Sequence, residues 1–195
     1  DHIGGLFYDL MPGFVIEADS HGSHDWGIQP GTLDVPQDIA MACFRHLTDE
    51  GFDPAFSYDM RVDHGTTIPL LKLVGGLATY PVLPIVMNCA AITRPSFQRV
   101  RKLGAAVGRF LACLNKRAVV IGSGGLSHDP PTPVIDLADE RIVNRLVKRN
   151  VATSKEFARR EARVVDMAKA MCRGEGPILP PNEEFDRRFL KHLMA

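Results

Sequence analysis

The sequence has no excess charge of either sign, because 23 lysine and arginine residues balance 23 aspartate and glutamate residues. A surface without a net positive field does not favour nucleic acid or an anionic membrane as a partner. It also has no apolar run of the roughly 18 residues that a membrane span requires. These absences exclude nucleic-acid binding and membrane insertion as expected functions, and 45% hydrophobic residues predict an ordinary globular domain.

Several short catalytic and metal-binding motifs are also missing from the sequence. It contains no HExxH, no GxSxG and no GxxxxGK[ST] pattern, which excludes the local motifs of zinc proteases, serine hydrolases and P-loop enzymes. The cysteines lack CxxC spacing and predict reduced core thiols, as in a cytoplasmic protein. They are Cys43, Cys89, Cys113 and Cys172.

The hydrophobic pattern alternates between short apolar runs and amphipathic segments, which is typical of a layered α/β fold. We predict one α/β/α domain over residues 1–195 with a central mixed sheet, of which 135–195 form a mostly helical C-terminal portion. Predicted strands cover 55–60, 82–87 and 119–121, and predicted helices cover 36–50, 96–115, 135–148 and 154–172. The first residue is not Met and the last segment has no helix stop, so we expect an excerpt of a longer protein.

The stretch at 118–133, AVVIGSGGLSHDPPTP, is the most informative part of the chain. A β-branched run followed by a glycine-rich turn predicts a buried strand that ends at the carboxyl edge of a sheet, where open α/β folds place their sites. His128 follows this turn, and His64 similarly follows the predicted strand at 55–60. We therefore expect the two histidines to converge on one cleft.

Each of three histidines at predicted strand ends has an aspartate beside it in the sequence. These pairs are Asp1-His2, Asp63-His64 and His128-Asp129. They are compatible with a metal-dependent or acid–base enzyme, because imidazole takes and gives a proton near neutral pH. They are also compatible with a catalytically silent α/β binding domain whose histidines are structural, and the residues alone favour the enzyme only modestly. His21 and His24 flank Gly22 in a polar segment, 17–31, that predicts a solvated loop.

A longer set of motifs, ordered along nearly the whole chain, resembles the class III extradiol ring-cleavage dioxygenases. The segments that carry the resemblance are Asp1-His2, Gly5-Leu6-Phe7-Tyr8-Asp9-Leu10-Met11-Pro12, Ser57-Tyr58, Val62-Asp63-His64-Gly65, Val82-Leu83-Pro84, Phe97-Gln98-Arg99, Leu114-Asn115-Lys116-Arg117 and Gly122-Ser123-Gly124-Gly125-Leu126-Ser127-His128. The helices from Ile135 onward match less distinctively.

The resemblance implies a non-haem Fe(II) enzyme that opens a catechol ring with O2, with iron held by two histidines and one carboxylate. It implies that His128 is the base toward substrate, that His64 is the acid toward oxygen and that Asp63 orients or charge-stabilises His64. Pro130 would shape the turn, and His2 would be an iron ligand.

The resemblance also implies a small-molecule catechol and O2 as the partners and a homo-oligomer as the assembly. The family's other two iron ligands have no counterpart in the sequence, so we expect the 195-residue chain alone to bind iron weakly and to turn over poorly.

Overall fold

The computed structural model describes residues 10–89, 94–128, 136–148 and 153–193. Its first sheet has three strands in the order β3-β1-β5, which are β1 (Phe14–Glu17), β3 (Ala55–Ser57) and β5 (Ile85–Met87). β1 runs parallel to β3 and antiparallel to β5. A second sheet pairs β2 (Ser20–Gly22) in parallel with β4 (Met60–Val62). The predicted α/β class with a mixed sheet is confirmed.

The helices follow the sheet segments along the chain, and most of the larger ones begin and end near the predicted residues. They are α1 (Gln37–Asp49), α2 (His64–Val74), α3 (Phe97–Cys113), α4 (Glu140–Ile142), α5 (Ser154–Cys172) and α6 (Glu183–Leu193). A π-helical turn, Val143–Val147, continues α4. None of the helices in the described ranges is long and apolar enough to cross a membrane.

The main core lies between β1 and the helices α1 and α3. Its buried members are Phe14, Ile16, Ala40, Cys43, Leu47, Phe52, Leu103, Ala106 and Phe110. A smaller cluster of Leu33, Met60, Val62 and Leu70 joins β4 to α2. Burial of these side chains fixes the ends of β2 and β4 against the start of α2, and this is the part of the fold that positions the site.

Local capping signals in the sequence account for three helix starts. Ser96 accepts a hydrogen bond from the Arg99 amide at the start of α3 (3.3 Å). Thr153 and Glu156 form a capping box at the start of α5. Asn182 Oδ1 accepts from the Phe185 amide at 3.0 Å and so caps α6.

All three predicted strands differ from the structure, and of the predicted strand 82–87 only Ile85–Met87 forms one. The segment 55–60 forms two short strands, because the bend at Tyr58 and Asp59 passes the chain from the first sheet to the second. The run 119–121 forms no strand, and Val119 is 88% exposed. β-branched residues favour a strand only where a neighbouring strand completes the ladder, and no strand of the described residues pairs with this run.

Other predictions need smaller corrections. The segment 17–31, predicted as a solvated loop, contains β2 and a 3₁₀ turn and buries Glu17, Ser20, Ser23 and Asp25. Within the predicted helix 135–148, regular α-helix begins only at Glu140, where Asp139 caps it. Of the four cysteines, Cys43 is buried and the other three are exposed, so the prediction of core thiols is wrong for those three.

Candidate functional site

The candidate site lies at the carboxyl ends of the parallel strands β2 and β4. Because the strands are parallel, the segments that leave them emerge at the same edge of the sheet. The segment after β2 forms the 3₁₀ turn Asp25–Gly27, and the segment after β4 begins α2 at His64. This arrangement places Asp25 directly against His64, although the two residues are 39 positions apart.

Asp25 is the group that holds the His64 side chain. Its Oδ2 lies 2.5 Å from His64 Nδ1 and also accepts from the His64 amide at 2.9 Å. Its Oδ1 accepts from the Ser23 hydroxyl at 2.9 Å. The Asp25 side chain is 10% exposed and that of His64 is 32% exposed. The carboxylate is therefore fixed from both sides, and it fixes the ring in turn.

The same contacts determine the charge state of the pair. The hydrogen bond to Asp25 raises the pKa of His64, and burial, which lowers it, is the smaller effect. Burial raises the pKa of Asp25, but hydrogen bonds from His64 and Ser23 outweigh that effect and leave the pKa below its ordinary value. Both shifts extend the pH range over which imidazolium lies beside carboxylate, and in that state both ring nitrogens are donors. Nδ1 donates to Asp25, so the transferable proton is the one on Nε2.

Asp63 contacts α2 by a different route. Its Oδ1 accepts from the Gly65 amide at 3.0 Å, and its carbonyl accepts from the Thr67 hydroxyl at 3.2 Å. It is therefore the N-cap of α2. Its negative charge also raises the pKa of His64. The group that accepts from the His64 ring nitrogen is Asp25, a residue in the segment that the sequence predicted as a solvated loop.

Trp26 closes one side of the pair. Its ring centroid lies 6.1 Å from that of His64 in an edge-to-face arrangement. Its backbone has a positive φ of 55° and its amide donates to Glu161 on α5. One signal in the sequence could have identified Asp25. It lies between His24 and Trp26, in a turn that follows the short polar strand β2 and is bounded by glycines.

The segment that carries His128 reaches the same helix through Ser123. The Ser123 hydroxyl donates to the Gly65 carbonyl in the first turn of α2. His128 Nδ1 lies 2.8 Å from the Leu126 carbonyl. A carbonyl only accepts, so Nδ1 carries the hydrogen and Nε2 of the neutral ring has the lone pair. In this tautomer His128 can accept a proton at Nε2. His2 and Pro130 lie outside the described residues.

Asp25, Asp63 and His64 each offer a ligand atom, and these atoms all lie within 4.8 Å of one another. The set does not fit the two-histidine, one-carboxylate geometry that Fe(II) prefers in oxygenases, because it holds one histidine and two carboxylates. Moreover, Nδ1 of His64 is already hydrogen-bonded to Asp25. The arrangement fits proton transfer better than iron binding.

Comparison with known proteins identifies the family. The family model described as the catalytic LigB subunit of aromatic ring-opening dioxygenase matches residues 7–195. The chain belongs to this LigB family. The resemblance to ring-cleavage dioxygenases that the sequence motifs indicated is confirmed.

Individual relatives carry a more specific name, 2,3-dihydroxyphenylpropionate/2,3-dihydroxicinnamic acid 1,2-dioxygenase. The Azotobacter vinelandii protein is 43% identical over 194 residues, which are 100% of this chain and 62% of that protein. A Pseudomonas putida protein, whose name is the same with the number 2 added, is 45% identical to this chain. The match covers 97% of this chain and 61% of that protein. The chain thus spans about three fifths of the length of the curated relatives it matches.

A buried acid of this LigB-family chain lies beside the His64 site. Glu17 at the end of β1 is 0% exposed, and its Oε2 accepts from the Ser20 hydroxyl. Its Oε1 is buried without a hydrogen-bond partner in the described structure. Burial raises the pKa of Glu17 from 4.5 to about 7; the hydrogen bond from Ser20 opposes this rise, and the negative charge of Asp63 adds to it. Glu17 therefore keeps its proton in the folded state to a higher pH than in the unfolded chain.

Replacing Glu17 with Gln is expected to flatten the dependence of stability on pH. Between about pH 4.5 and 7 the folded state binds more protons than the unfolded chain, so its stability falls as the pH rises. The loss expected from Glu17 alone is about 3 kcal/mol. Urea unfolding of both proteins at pH 5 and pH 8 measures it. An equal loss of stability in the two proteins would show that Glu17 is not the group responsible.

Proposed function

We propose that the complete natural protein is an Fe(II)-dependent extradiol dioxygenase that opens a catechol carrying a carboxylated side chain, such as 2,3-dihydroxyphenylpropionate. The observation that carries the proposal is the direct contact of His64 Nδ1 with the Asp25 carboxylate in a chain of the LigB family. The substrate is suggested by the names of relatives that are 43% and 45% identical to this chain.

The reaction balances without an external reductant. One ring C–C bond beside the two hydroxyls breaks, both atoms of O2 enter the product, and the catechol supplies all four electrons. Fe(II), when bound, would supply the redox chemistry that brings the catechol and O2 to reaction. We propose His2 as one of its ligands, on the family pattern. The described residues do not complete the ligand set.

The two described histidines would handle the protons of this reaction. His128 would accept the proton of a catechol hydroxyl at Nε2, because its Nδ1 hydrogen is directed to the Leu126 carbonyl. His64 would donate the Nε2 proton of its imidazolium toward the oxygen side. One histidine is thus set as a base and the other as an acid by the partner of its Nδ1 atom.

The two aspartates near His64 would stabilise its charged ring in different ways. Asp25 would hold the ring and its positive charge through the direct hydrogen bond. Asp63 would stabilise that charge over a longer distance while it caps α2. Pro130 would shape the turn after His128. We also propose a cytoplasmic homo-oligomer, as the family resemblance implies.

The test is to load the complete natural protein with Fe(II) without air and then add 2,3-dihydroxyphenylpropionate and O2. We expect a yellow ring-opened product and the uptake of one O2 per catechol. 3-(3-Hydroxyphenyl)propionate, which has one hydroxyl, is the matched control and should give neither. No colour and no O2 uptake with a range of catechols would favour a silent binding domain of the same family.

A further inference from the structure

The turn that carries His128 has little regular structure of its own to fix it. Residues 118–125 belong to no helix or strand and are exposed, and Gly124 has a φ of 154°. A general base must be held to within about 0.5 Å of its productive position. Something outside the turn must therefore hold it in place.

Helix α6 supplies three hydrogen bonds to Ser127, the residue before His128. Asp186 Oδ1 accepts from the Ser127 amide at 2.8 Å, and Asp186 Oδ2 accepts from the Ser127 hydroxyl at 2.9 Å. The Asn182 amide donates to the same hydroxyl at 2.6 Å. Asp186 is half-buried in the first turn of α6, where its own amide donates to the Asn182 carbonyl at 3.0 Å. The contacts thus join the turn to the start of an 11-residue helix.

One peptide unit links Asp186 to the ring of His128. The Ser127 N–H that Asp186 accepts and the Leu126 C=O that His128 Nδ1 contacts belong to the same planar peptide group. Fixing the N–H therefore fixes the C=O. A charged acceptor on the N–H also polarises the peptide, which makes its oxygen a stronger acceptor for Nδ1–H.

We infer that Asp186 is a positioning residue for His128, which it orients through the Leu126–Ser127 peptide and whose Nδ1–H tautomer it stabilises. This inference rests on the proposed role of His128 as the base. Asp186 touches neither substrate nor ring; it acts on them through the peptide. The arrangement parallels Asp25 and His64, with a peptide group inserted between carboxylate and imidazole.

The experiment compares Asp186→Asn, Ser127→Ala and Glu184→Gln in the complete Fe(II)-loaded protein. Asp186→Asn removes the charge and one of the two acceptors, and it should lower kcat by roughly 10- to 100-fold with KM changed less than about threefold. Ser127→Ala loses the hydroxyl but keeps the amide, so its kcat should fall less. Glu184→Gln makes the same charge change on the same helix, where Glu184 pairs with Arg188, and should leave kcat unchanged.

Histidine-labelled ¹⁵N NMR provides a readout that a general loss of stability would not move. In Asp186→Asn, the Nδ1–H fraction of neutral His128 should fall, whereas in Glu184→Gln it should stay as in the wild type. If Asp186→Asn does not fold, a smaller fall of the same fraction in Ser127→Ala, which loses one of the two hydrogen bonds to Asp186, tests the inference. An unchanged tautomer in a folded variant would overturn it. If His128→Ala keeps full activity, His128 is not the base. The tautomer measurement then decides by itself whether Asp186 positions the His128 ring.

Discussion

Replacing His128 with alanine in the complete natural protein is expected to lower kcat by roughly 10²- to 10⁴-fold and to leave the iron content near that of the wild type. The Nδ1 hydrogen of the ring is directed to the Leu126 carbonyl, so Nε2 is the site that we propose accepts the substrate proton. Alanine removes that site and leaves the backbone of the turn, including the Ser127 contacts to α6, in place. Steady-state O2 uptake and metal analysis of the same sample measure the two quantities.

Alanine variants of two other histidines are the comparisons for this experiment. His192 is an exposed histidine on α6, and His192→Ala should retain near-normal turnover. His2→Ala should show the reverse of His128→Ala, with iron lost first and activity lost as a consequence. If His128→Ala loses iron and activity in the same proportion, His128 is a ligand and the assignment of a base is wrong.

The helices show which parts of the fold were predictable from the sequence. The start of α5 depends on Thr153 and Glu156, which are three residues apart, and the end of α1 depends on Gly51, with a φ of 79°. Such signals act within one turn of the chain, so the sequence contains them in full. The predicted bounds of α5, 154–172, match the structure residue for residue.

The strands and the site depend on distant partners, and there the predictions were weaker. Val119 to Ile121 has the composition of a strand, but strand formation needs a neighbour that composition does not specify. The hydrogen bond of Asp25 to His64 spans 39 residues. The family resemblance implied that Asp63 orients or charge-stabilises His64, whereas in the structure the Asp63 carboxylate caps α2 and Asp25 contacts the ring.

The opposite roles that we propose for the two histidines follow from different acceptors at the same ring atom. His64 Nδ1 contacts a carboxylate, which favours the charged ring and a proton to donate. His128 Nδ1 contacts a neutral carbonyl, which selects a tautomer without supplying a full negative charge. Replacing the charged acceptor of His64 with a neutral one should therefore weaken the proposed function of His64 as an acid at neutral pH while leaving the ring present.

Asp25→Asn performs that exchange, and we expect kcat at neutral pH to fall by roughly 10²- to 10³-fold. Without the carboxylate the pKa of His64 falls, since burial then lowers it with less opposition. His64 loses its proton at a lower pH, so the basic limb of the kcat profile should move toward acid and part of the activity should return as the pH is lowered. A pH–rate profile and the NMR titration of His64 measure both effects.

Asp59→Asn is the matched control, because Asp59 lies 3.1 Å from His21 Nδ1 on the exposed surface, with its side chain 78% exposed. It removes one carboxylate from an aspartate–histidine pair outside the site and should change neither the rate nor its pH profile. Asp63→Asn distinguishes the effect of Asp63 on the pKa of His64 from the effect of Asp25. If it lowers the pKa of His64 further than Asp25→Asn does, charge at a distance outweighs the direct hydrogen bond, and Asp63 is the principal partner of His64.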